Sequence, residues 1–108
     1  MTIVQAAQPV ESRFAQRVEA LDGFGRYLRP RLRGRLKVER SEQPGEPPTW
    51  SVITEDGTAI VSFGLVDTIF FWTFDAGVSN HYSRDHELLT RTVAGELARA
   101  GHLSHHAA

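Results

Sequence analysis

The chain has no cysteine, so disulfides, zinc–thiolate sites and thiol nucleophiles are excluded. That fits a reducing compartment. Long apolar runs are also missing. The longest strongly apolar stretch, residues 69–72, is far too short to span a bilayer. The first residues, MTIVQAAQP, lack a basic segment followed by an apolar run, so no signal peptide is expected. These absences predict a cytoplasmic protein with no membrane partner. There is no internal repeat. GxSxG, P-loop and HExxH motifs are absent, so the expectation is a non-enzymatic protein without catalytic residues or cofactor. Lysine is scarce as well, one residue against eleven arginines, a bias that GC-rich coding alone would give.

The positive charge that is present is concentrated. Residues 26–40, RYLRPRLRGRLKVER, hold seven of the twelve basic side chains. The remainder of the chain carries five arginines against twelve carboxylates, and the formal net charge is −1. A neutral total therefore conceals one cationic segment, which can repel itself or attract an acidic partner. The 108 residues suffice for one domain.

Residues 1–8 read as a loose leader, residues 9–101 as a single domain and residues 102–108 as a flexible, histidine-containing tail. Pro9 suits a first helical position. Val10, Phe14, Val18 and Leu21 recur at helical spacing, and Gly23 is the expected stop. The period then becomes two. Leu32, Leu36 and Val38 alternate with Arg31, Arg33, Arg35 and Lys37, a half-buried strand pattern. A polar loop with three prolines follows at residues 41–48. Residues 50–55 and 58–66 read as strands around an Asp56-Gly57 turn. Residues 69–75 form a fourth strand after Asp67-Thr68. Residues 77–82 read as a loop, and Ser83 as the cap of a final helix with Asp85 and Glu87 in its first turn. Leu89, Val93 and Leu97 continue that helix until Gly101. The predicted fold is α+β, order α-β-β-β-β-α. A four-stranded antiparallel meander sheet carries the N- and C-terminal helices on one face.

The two turns fix register and can be compared. Both place Trp50, Val52, Val61, Phe63, Leu65, Phe70, Trp72 and Phe74 on one face, which the helices would cover. The other face then holds Ser51, Ile53, Ile60, Ser62, Gly64, Val66, Ile69, Phe71, Thr73 and Asp75. It is more apolar than a solvated sheet face usually is. Phe71 lies across from Gly64, leaving room for the ring over bare backbone. If Leu32, Leu36 and Val38 point to the core, Arg31, Arg33, Arg35 and Lys37 project from this same open face.

A row of cations suits an acidic protein strip or a phosphate backbone, and equally serves an edge strand that must not aggregate. The net negative charge favours the protein partner over nucleic acid. An extra apolar face is most often hidden in a homodimer; it can also serve as a stacking platform for bases or be covered by the leader or the proline loop. The expected function is therefore a small binding, adaptor or regulatory protein, dimeric, that binds an acidic protein surface. Its expected site is Arg31, Arg33, Arg35, Lys37, Phe71, Ile53, Ile60 and Ile69. The alternative is a nucleic-acid-binding regulator using the same strand and Phe71. His81, Asp85 and His86 are metal-ligand types, but neighbouring helix positions diverge by about 100° and no metal site is expected. The element order with one open apolar face resembles small dimeric bacterial adaptor and secretion-chaperone domains.

Overall fold

The computed structural model describes residues 10–74 and 79–104. Helix α1 spans Val10–Leu28, followed by a 3-10 turn at Arg29–Arg31. Strands β1 (Lys37–Ser41), β2 (Thr49–Ile53), β3 (Ala59–Val66), β4 (Ile69–Phe74) and β5 (Ser79–Ser83) follow, and helix α2 (His86–Arg99) closes the order. The strands form one antiparallel meander in sequence order. The α+β class and the helices at both ends agree with the sequence. The sheet has five strands, not four. The fifth lies where a loop was expected, because Ser-Asn-His-Tyr-Ser carries no apolar alternation. It pairs along β4, with Phe71 opposite Tyr82 and Trp72 opposite His81.

The expected core face is present. Trp50, Val52, Val61, Phe63, Leu65, Phe70 and Trp72 are buried, while Phe74 is half-buried and packs against them. Leu21, Phe24 and Leu28 of α1 and Leu89, Val93 and Leu97 of α2 cover that face. The β3–β4 register is as predicted, with Asp67 taking the left-handed conformation its short polar side chain tolerates (φ 57°). The β2–β3 register is reached differently. Thr54 N–H bonds to the Thr58 carbonyl at 2.9 Å, closing a three-residue loop with Gly57 at φ 89°. Ile53 then faces Ala59 while Val52 faces Val61, so Ile60 is the extra residue of a β-bulge. In the loop, the Asp56 carboxyl is held below the usual carboxylate range by the Thr54 hydroxyl first and then by Thr58.

Helix α1 runs through Gly23 to Leu28 rather than stopping there. Packing explains the overrun. A Cβ on Gly25 would stand 2.4 Å from the Trp50 ring, so helix and sheet approach at a point only glycine allows. Beside it Asp22 accepts from Trp50 Nε1 at 2.8 Å and from Arg40 at 3.0 and 3.1 Å. The pairing with Asp22, and after it Glu42, raises the Arg40 pKa above its ordinary value. Arg40 therefore ties β1 to α1.

The cationic strand is the main correction. Only Lys37 of the four expected cations lies in β1. Arg31 ends the 3-10 turn, and Gly34, at φ 69°, bends the chain between Arg33 and Arg35. Leu32 instead pairs with Leu103 beyond α2, and the Arg33 N–H bonds to the His102 carbonyl at 2.8 Å. Leu103 is buried. Residues 102–104 are thus part of the fold, correcting a tail that was expected to begin at 102. The expected leader at 1–8 and the remainder of the tail lie outside the described residues.

Candidate functional site

Both helices pack on the core side, leaving the second face of the sheet as the surface to consider. Its side chains are ordered by the pairing registers. One row crosses all five strands through Glu39, Ser51, Ser62, Thr73 and Asn80. Within it Ser51 Oγ and Ser62 Oγ are 2.8 Å apart. The adjacent row runs through Ser41, Thr49, Gly64, Phe71 and Tyr82. A Cβ on Gly64 would meet Phe71 Cε2 at 2.8 Å, so the ring lies over bare backbone as expected. Val66 and Ile69 form the next pair. Val66 is 51% and Tyr82 65% exposed, two of the four large hydrophobics that are exposed among the described residues. Phe71, Ile53 and Ile69 are half-buried on this face. Ile60, at the bulge, packs against the core cluster instead.

The basic residues do not form one row beside these side chains. Arg31 donates from Nη1 to the Tyr27 carbonyl at 2.7 Å, and its guanidinium stands 3.9 Å from the Tyr27 ring centroid. That fixes it against α1. Arg35 forms a 2.8 Å ion pair with Glu55, and Lys37 Nζ lies 3.7 Å from the Glu39 carboxylate. Arg33 is exposed and has no ion pair among the described residues. Arg33 and Arg35 share a shallow cleft of about 420 Å³ with Gly34, Leu36, Gly101 and His102. Lys37, opposite Ile53, is the one expected cation that the register puts on the uncovered face. Arg33 and Arg35 lie instead in the cleft beside Gly101 and His102.

The histidines and carboxylates singled out from sequence have local roles. Asp85 caps α2, its side chain accepting from Glu87 N–H at 3.0 Å. Ser83 Oγ accepts from Asp85 N–H at 2.9 Å, one step before the cap. His86 Nε2 donates to the Ala20 carbonyl at 3.0 Å, and its ring packs on Phe70. His81 lies flat on Trp72 with centroids 5.5 Å apart, and its Nε2 is 3.0 Å from Ser79 Oγ. That Ser–His contact sits on an exposed edge strand, where an i,i+2 pair meets for local reasons. No group of three metal-ligating side chains occurs among the described residues. No helix among them is long and apolar enough to cross a membrane.

A second concavity, of about 440 Å³, separates α1 from α2. Ala20, Gly23, Phe24, Tyr27, His86, Thr90, Arg91 and Ala94 line it. Small side chains on both helices hold it open. Sequence reading missed Tyr82, because β5 was taken for a loop, and Asp22, whose partners come from 18 and 28 residues away. No protein-family model matches this chain, and neither a curated protein nor a solved structure is significantly similar to it.

Proposed function

We propose that the protein is a non-enzymatic, homodimeric adaptor that binds another protein with the uncovered face of its sheet. One observation carries the reading. The sheet places Ile53, Val66, Ile69, Phe71 and Tyr82 on the face opposite to the one that both helices cover. An apolar patch bordered by polar side chains is the usual chemistry of a protein contact, and here the Glu39–Asn80 row borders Phe71 and Tyr82 and separates them from Ile53. Aromatic side chains such as Phe71 and Tyr82 are favoured contact anchors. At the Ile53 corner, Lys37 biases the partner towards an acidic rim and acts mainly on association rate, with Arg33 and Arg35 in the neighbouring cleft adding to the field. Arg31 has no part in that rim, since it is committed to Tyr27.

Nucleic acid is the weaker occupant. Phe71 and Tyr82 are cross-strand neighbours and offer two ring faces for stacking. Phosphates, however, need several cations nearby, and of the four expected cations only Lys37, itself paired with Glu39, is put on that face by the register. The reading is tested by co-purification from the protein's own cells. The wild type and Arg91→Glu, a helix-groove control, are expected to retain one stoichiometric protein partner that Val66→Glu and Phe71→Ala lose. Retention of that partner by both face variants would overturn the reading. So would tight RNA or DNA binding with a log–log salt slope of roughly −3 to −4, the value for about four phosphates.

A further inference from the structure

The two edges of the sheet carry different chemistry. Strand β1, Lys-Val-Glu-Arg-Ser, has three charged side chains in five residues. Charges on an edge strand are the ordinary defence against pairing with another chain. Strand β5, Ser-Asn-His-Tyr-Ser, has no Lys, Arg, Asp or Glu, and no proline. It pairs only with β4, so one side of its backbone has no strand partner among the described residues.

Beyond its end the exposed Arg84 and Asp85 are of opposite sign, and the flank of α2 beside β5 adds no net charge. Along α2, His86, Thr90 and Ala94 face the groove towards α1, and Leu89, Val93 and Leu97 face the core. Helical spacing then puts Leu88, Thr92, Glu96 and Arg99 on the flank away from α1. Helix α2 packs on β4 and β5, so this flank overhangs the β5 edge. Leu88 there is 36% exposed, and Tyr82 on β5 is 65% exposed. Glu96 and Arg99 on the same flank form an ion pair with each other, which leaves no net charge to repel a like surface. Two of the four exposed large hydrophobics thus bracket the one edge without charge protection.

We infer that β5 is a homodimer interface, at which the β5 strands of two copies pair antiparallel to form one ten-stranded sheet. This rests on the homodimer part of the proposed function and names its surface. A second copy is the occupant because the strip is self-complementary. A neutral five-residue strand can pair with itself along its whole length, and a two-fold axis then falls on the middle residue. His81 of one copy lies opposite His81 of the other, and Asn80 lies opposite Tyr82. The flanking Leu88 side chains approach across the same axis. The strip is one strand of about 17 Å and one helix of about 21 Å, placing the contact at the small end of specific interfaces. A reversible dimer with a micromolar dissociation constant is the expected strength. The open faces of the two copies become continuous, leaving Phe71 and Val66 free for the partner.

The absence of cysteine makes the test clean. Directly opposed residues in an antiparallel pair have Cα atoms about 4.5 or 5.5 Å apart, both within disulfide range. Mild oxidation of His81→Cys should give a disulfide-linked dimer as the main species, while Thr90→Cys in the helix groove forms no cross-link. Sedimentation velocity should show the wild type dimerising in the micromolar range, and Tyr82→Lys with Leu88→Lys weakening it at least tenfold. If His81→Cys fails to fold, the Asn80→Cys, Tyr82→Cys double variant reports the same register. A dimer that the lysine variants leave unchanged, with no cross-link from either cysteine variant, would overturn the β5 assignment while leaving a homodimer standing. A strict monomer up to several hundred micromolar would overturn both.

Discussion

The two faces of this sheet are built from the same strands and the same alternation, yet they meet different surroundings. On one face Trp50, Val52, Val61, Phe63 and Phe70 disappear beneath two helices, each less than 3% exposed. On the other, Phe71 and Ile69 stay half-buried and Val66 and Tyr82 stand in water. The difference is not hydrophobicity alone, since both faces carry aromatics. It is the presence of a cover. Helix α1 can lie close only because Gly25 has no side chain to strike Trp50, and Asp22 then satisfies the indole N–H and Arg40 at the rim. Among the described residues the uncovered face has no such fitted element, only a polar row beside an aromatic one. Burial on the first face stabilises the fold, and the second face leaves Val66 and Tyr82 exposed.

Substitutions should separate the two faces by size of effect. Leu89→Ala, fully buried beneath the covered face, should cost about 3–5 kcal/mol in denaturant unfolding. Gly25→Ala should cost about 1–3 kcal/mol through overpacking, since its methyl would meet the Trp50 ring. Asp22→Ala should cost about 1–3 kcal/mol, because it leaves the buried Trp50 N–H without its acceptor. Phe71→Ala on the uncovered face should cost only about 1 kcal/mol, the loss of a half-buried ring. Arg35→Ala should change stability by less than about 0.5 kcal/mol, its ion pair with Glu55 being exposed at both ends. If Phe71→Ala matched Leu89→Ala, the second face would be part of the core and the contrast would fail.

Much of this contrast was legible in the residues. The Asp56-Gly57 and Asp67-Thr68 turns agreed on which side chains share a face, and Gly64 foretold the position of the Phe71 ring. What escaped was set by tertiary context. Strand β5 has no apolar pattern of its own and exists because the β4 edge offers it a ladder. The alternation at 31–38 looked like a strand, but Gly34 breaks it and Leu32 finds Leu103, more than seventy residues along the chain. The cationic row dissolved with it, because Arg31 turned to Tyr27 and Arg35 to Glu55. Gly23 looked like a helix stop, though the contact two residues on holds the helix together.

The uncovered face as the docking surface is the central claim, and in-cell photo-crosslinking tests it most directly. A photoreactive phenylalanine analogue at Val66 is expected to trap one discrete partner protein, while the same group at Arg91, beside the helix groove, traps none. An adduct from position 91 with none from position 66 would contradict it.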